Sequence, residues 1–132
     1  MNEKNEGSKT VQVPTFSGRT KDFTVWWMRF RAYAALKKCH NAMSQNFNLP
    51  PDPNNLTGTD EQKEESERLV QINTACLASL TLAFTTPDLM QLVSASQTNE
   101  YPFGIAKQVV KLLFEEYRPE DDISEIEAET EL

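Results

Sequence analysis

From Phe23 onward, large apolar residues recur at steps of three and four: Phe23, Trp26, Trp27, Phe30, Tyr33, Ala34 and Leu36. That is the period of an α-helix with one buried face. It predicts a first helix from about Asp22 to Met43, with Asp22 placed to cap it. Four large aromatics within three turns make this the anchor helix of a core, since burying one Trp or Phe side chain stabilises by roughly 2–3 kcal/mol. Ahead of it, Val11-Gln12-Val13-Pro14-Thr15-Phe16 alternates apolar and polar, the pattern of a short extended segment. Pro14 confines that segment to an edge or a lone strand. Ser17-Gly18-Arg19-Thr20 reads as a turn in which Gly18 is free to take positive φ. Met1 to Thr10 is polar and of mixed charge, the composition of disorder.

The pattern stops at Asn48-Leu49-Pro50-Pro51-Asp52-Pro53-Asn54-Asn55, because a helix does not survive three prolines in four positions. Gln45 to Thr59 is therefore expected to be an exposed loop. Thr59 is a natural N-cap for a long helix, with Asp60 and Glu61 at the positive end of its dipole. Its apolar row begins at Leu69 and runs through Ile72, Cys76, Leu77, Leu80 and Phe84. Thr86-Pro87 is a fresh start signal, N-cap followed by proline at the first helical position. It predicts a short helix to about Ala95 that buries Leu89, Leu92 and Val93. After a break from Ser96 to Gly104, helical spacing returns in Ile105, Val109, Leu112, Leu113 and Tyr117, and Arg118-Pro119 ends it. Asp122-Ile123-Ser124-Glu125 resembles a capping box that opens one more, acidic helix.

The expected architecture is all-α, a bundle of four or five helices behind one short extended segment. Residues 1–10 form a disordered end, 11–118 the helical domain, and 119–132 an acidic linker with the start of a following helix. The residues expected to define the fold are Phe16, Gly18, Phe23, Trp26, Trp27, Phe30, Tyr33, Leu80, Leu113 and Tyr117.

Charge changes this picture through its distribution. The formal net charge is -7. From Glu115 to the end, nine acidic residues face Arg118 alone, whereas Met1 to Phe114 carries twelve basic and eleven acidic residues. An acidic chain repels nucleic acid as a whole. Yet Arg19, Lys21, Arg29, Arg31, Lys37 and Lys38 cluster against Asp22 alone. These six are candidates for contact with a neighbouring copy or with RNA.

The chain carries little that points to catalysis. It has no Gly-rich phosphate loop, no GxSxG and no HExxH. The only histidine, His40, follows Cys39, and with Cys76 it makes three separated ligand types without a local pair. Small buried thiols are the simpler reading, with no metal and no cofactor. The glutamates of the second helix start and of the tail read as solvated faces, not as a buried acid–base pair. Trp26-Trp27 is a residue pair on which nucleobases can stack, but both positions fall in the helical stripe and read as core, with one of them near the rim. Unpaired cysteines, the absence of an apolar leader in MNEKNEGSKT and the lack of any 18-residue apolar run predict a reducing, cytoplasmic setting with no membrane span.

The order of these signals resembles the Gag region of Copia-type retrotransposons. The family's F-x-G segment is matched by Phe16-Ser17-Gly18, and its F/Y-x-x-W-x-x-x-M/F helix by Phe23 to Phe30. A Pro- and Asn-rich loop follows, then a helix with an S-L step near Ala75 to Thr81. The closing A-x-x-x-W-x-x-L-x-x-x-Y pattern is matched from Ala106 to Tyr117, with Val110 where tryptophan is usual. The resemblance spans about Val11 to Leu132. It implies a capsid-like N-terminal lobe up to about Arg118, a non-enzymatic module that polymerises with copies of itself into virus-like particles. It also implies that RNA is held mainly by basic or zinc-knuckle segments outside this chain. Two alternatives stay open at this point. One is a domesticated relative that binds peptides in an apolar groove near Trp26, Tyr33 or Phe84. The other is an unrelated helical adaptor.

Overall fold

The structure is a computed structural model and describes residues 11–117. The expected disorder of residues 1–10, the helix end at Arg118-Pro119, the acidic linker and the capping box at Asp122 lie outside the described residues. Among the described residues the fold is all-α, with four helices and no strand. They are α1 (Phe23–Leu36), α2 (Asp60–Ala83), α3 (Pro87–Ala95) and α4 (Ala106–Tyr117). One-turn 3-10 helices at Thr20–Asp22 and His40–Met43 flank α1.

Local chemistry accounts for the starts of α2 and α3. Thr59 Oγ1 accepts from the Gln62 amide (3.1 Å), and Gln62 Oε1 accepts from the Thr59 amide (2.8 Å), a reciprocal capping box. Thr86 Oγ1 accepts from the Leu89 amide (3.2 Å), with Pro87 at the first helical position. At about 36 Å, the 24-residue α2 is the longest element. Its first two turns are exposed, and its second half packs on α3, α4 and the His40–Met43 turn.

The first helix is shorter than its apolar period predicts. It ends at Leu36, because Lys38 turns left-handed with φ 61°. The Lys38 amide then bonds Ala35 O (3.0 Å) and the Cys39 amide bonds Ala34 O (2.9 Å), the pairing of a Schellman motif. Beyond it Cys39, Ala42 and Met43 turn into the core on a separate 3-10 turn. Asp22 occupies the N-cap position without capping. Its carboxylate is used across the preceding turn, accepting from Ser17 Oγ (2.9 Å) and Arg19 Nε (3.0 Å).

The expected strand is reduced to one parallel bridge, Phe16 to Phe84. The segment is held as a strap: the Phe16 amide donates to Ala83 O (2.9 Å), Thr85 Oγ1 donates to Phe16 O (2.7 Å), and Trp26 Nε1 donates to Pro14 O (2.9 Å). The Pro-rich loop is also less free than expected in its first half. Phe47 is buried, Lys107 Nζ donates to Phe47 O (2.6 Å), and Tyr101 Oη donates to Pro50 O (2.5 Å).

One polar group organises the α2–α4 corner. Asn73 is buried, its Nδ2 donates to Gly104 O (3.2 Å) and its Oδ1 accepts from the Ala106 amide (2.8 Å). Ser96 Oγ accepts from the Ile105 amide (3.0 Å). Together they satisfy amides that the start of α4 would otherwise leave unpaired. Gly104 sits between them at φ 118°, where an added Cβ would lie 2.5 Å from Ser96 Oγ and 3.2 Å from Leu77 Cδ2. Both backbone and space require glycine there.

Candidate assembly surface

The residues expected to define the fold converge on α1. Phe16, Phe23, Phe30, Leu80 and Leu113 are fully buried, and Trp26 and Trp27 are each 4% exposed. Gly18 (φ 87°), Tyr33 and Tyr117 are half-buried. Phe16 stacks on Trp26 (centroids 4.9 Å, 20°) and meets Phe23 (5.7 Å) and Tyr117 (5.3 Å) edge-on. Trp27 meets Phe114 of α4 edge-on at 4.8 Å. Such ring pairs add to the area they bury. Both indoles face the interior, so neither is a platform for a nucleobase. Among the described residues Trp27 Nε1 has no acceptor. Of the three residues near which the domesticated-relative alternative would place an apolar groove, Trp26 and Phe84 are buried and Tyr33 is half-buried.

The six basic residues do not form one patch. Arg19 is paired with Asp22 (3.0 Å). That hydrogen-bonding, from Ser17 first and Arg19 second, holds the Asp22 carboxyl below its ordinary range. Arg29 and Lys37 lie two turns apart on one side of α1, with Tyr33 between them and Lys37 Nζ over its ring at 5.6 Å. Arg31 is half-buried and about 200° around the helix from Arg29. Lys21 and Lys38 are exposed beyond the two ends of the helix.

A second apolar row, which the aromatic stripe obscures in the sequence, runs along the outside of α1. Val25 is 60% exposed, Met28 57% and Leu36 66%, and Ala32 between them is exposed as well. At 100° per residue these four fall within a sector of about 80°. Leu36 was expected in the core and instead belongs to this outer row. Ordinary surface helices are apolar on one side. α1 is apolar on two, and the fold uses only one of them.

The cysteines meet although their metal-ligand reading does not. Cys39 and Cys76 are buried, and the interaction between their thiols holds Cys39 below the ordinary thiol range and, together with burial, pushes Cys76 above it. His40 is exposed. Among the described residues no group of three His, Cys, Asp or Glu side chains is placed to hold a metal ion. No helix of the described residues is long and apolar enough to cross a membrane. Comparison of the chain with protein-family models, with curated proteins and with solved structures gives no match. The fold and surface thus define, by themselves, an all-α domain with one helix that carries an unused apolar face.

Proposed function

We propose that this chain is a capsid-like N-terminal lobe of a Copia-type Gag protein, a structural module that associates with copies of itself and has no catalytic role. The observation that carries the reading is the meeting of the motif residues on which the resemblance rests. Phe23 and Trp26 of the first-helix motif and Tyr117 of the closing motif each meet the ring of Phe16 of the F-x-G segment. Phe16 and Tyr117 stand near opposite ends of the described residues. An ordered series of motifs belonging to one fold is expected to close into one core in this way. Val110, which replaces the usual tryptophan, is still buried on α4. The outward apolar row supports the same reading, because an assembly module needs surface that its own fold leaves unused. RNA packaging would then fall mainly to segments outside this chain, consistent with the dispersal of the six basic residues.

A helical adaptor for a different protein is the second reading, favoured by the same row. Light scattering coupled to size exclusion, over a range of concentration and salt, separates the two. The assembly reading predicts mass that grows with concentration. A strict monomer at every concentration and salt would contradict it and favour the adaptor.

A further inference from the structure

We infer that Cys39 and Cys76 are a disulfide-forming site, at which peroxide oxidises the pair within the folded domain and ties the His40–Met43 turn to α2. This is independent of the assembly reading. Both cysteines are free, and both belong to the same buried cluster, at 1% and 0% exposed. They come from separate elements. Cys76 lies in the second half of α2, and Cys39 opens the 3-10 turn that packs on α2. The path of the chain explains why they meet. Left-handed Lys38 ends α1, and the Cys39 amide reaches back to Ala34 O (2.9 Å). Cys39 is thereby placed in the core, while Lys38 and His40 on either side of it are exposed. The two thiols interact directly, and among the described residues they belong to no group of three metal-ligating side chains. The chemistry on the page is that of a dithiol.

The two sulfurs have different parts in the step. Interaction with Cys76 and the nearby Lys37 charge favour the Cys39 thiolate against its burial, whereas Cys76 is the sulfur held as thiol. Cys39 therefore reacts first. Its sulfur attacks hydrogen peroxide: an S–O bond forms, the O–O bond breaks, and the departing hydroxide takes up a proton and leaves as water. Cys39 is then a sulfenic acid. Cys76 gives up its proton as its sulfur attacks that of Cys39. The S–S bond forms, the S–O bond breaks, and the expelled hydroxide leaves as a second water. In sum the two thiols lose two electrons and two protons, and the peroxide is reduced to two waters. Entry of so small an oxidant needs only local opening. The 3-10 turn is a single turn, bonded within itself by the Ala42 amide to Cys39 O (3.2 Å) and the Ser44 amide to Asn41 O (3.1 Å), and short elements of this kind open at low cost. The bond closes a loop that holds the Pro-rich segment and the exposed start of α2, so it restrains the unfolded chain.

The test is treatment of the full chain with hydrogen peroxide under native conditions, then peptide mapping by mass spectrometry without reduction, with a thermal melt before and after. Oxidation of the exposed Met28 in the same map shows that the oxidant acted. The expected result is one crosslinked peptide pair that holds Cys39 and Cys76 and has lost two hydrogens, formed within a single chain. The melting temperature should rise by about 5–10 °C, and dithiothreitol should reverse both changes. Cys76→Ala should stop the reaction at oxygen adducts on Cys39, and Cys39→Ala should leave Cys76 unmodified. The inference is overturned if both thiols of the parent stay free while Met28 is oxidised, or if they collect oxygen without pairing. It is equally overturned if disulfides join separate chains only, or if the crosslink forms only in urea. A melting temperature that the bond leaves unmoved overturns the tie between the turn and α2.

Discussion

The two sides of α1 both carry rows of apolar residues and end in opposite environments. The inner side places Phe23, Trp26, Trp27 and Phe30 against the Phe16 strap, Phe84 and α4. The outer side presents Val25, Met28, Ala32 and Leu36 to solvent. Aromatics fill the inner side, where ring geometry and volume give one packed arrangement. Aliphatic and small residues line the outer side. Apolar content alone therefore does not distinguish the buried side of this helix from the exposed one. The type and partners of the residues do.

The largest effects belong to the inner side. Trp27→Ala or Phe30→Ala should cost about 3–5 kcal/mol in urea unfolding, enough to unfold a domain of this size. A midpoint equal to the parent's would break the comparison at its root. A step smaller is Asn73→Ala, which leaves the Ala106 amide and Gly104 carbonyl buried without partners. It should cost about 2–4 kcal/mol. A near-neutral result would mean that the α2–α4 corner is held by its apolar contacts and that Asn73 is incidental.

Smaller effects sit at the ends of α1, where its two sides stop. Lys38→Gly removes a left-handed non-glycine residue and should stabilise by about 0.5–1 kcal/mol, read as a raised melting temperature. A lowered melting temperature would mean that the Lys38 side chain contributes more than its backbone costs. The smallest effect is at Asp22. Its carboxyl is held low by Ser17 and Arg19, so its contribution is present above the unfolded value near pH 4 and is lost as pH falls through the lower folded value. Asp22→Asn should narrow the stability difference between pH 6 and pH 2, slightly because the site is solvated. An unchanged pH dependence would remove the turn clamp from the account.

Much of the fold was legible in the chain, for physical reasons that differ by element. α2 and α3 begin where Thr59 and Thr86-Pro87 announce them, because capping is decided by a few adjacent residues. The end of α1 was not legible, since a lysine gives no sign that it will turn left-handed. The extended segment was read as a strand, but its alternation reflects a strap with one buried ring, Phe16, and a single bridge. Asn73 stands within the row of Leu69, Cys76 and Leu80, where a lone amide is the sign of a buried polar bond. The outer row of α1 was as periodic as the inner one. The aromatics dominate the pattern, so Leu36 reads as core in the sequence and Val25, Met28 and Ala32 do not stand out.

The most direct test of the central claim, that this domain folds on the inner side of α1 and associates with copies of itself, is a dilution series of amide nuclear magnetic resonance spectra. The account predicts concentration-dependent shifts and broadening at exposed residues, with Asn73 and Leu113 unaffected. No change at any concentration would contradict it.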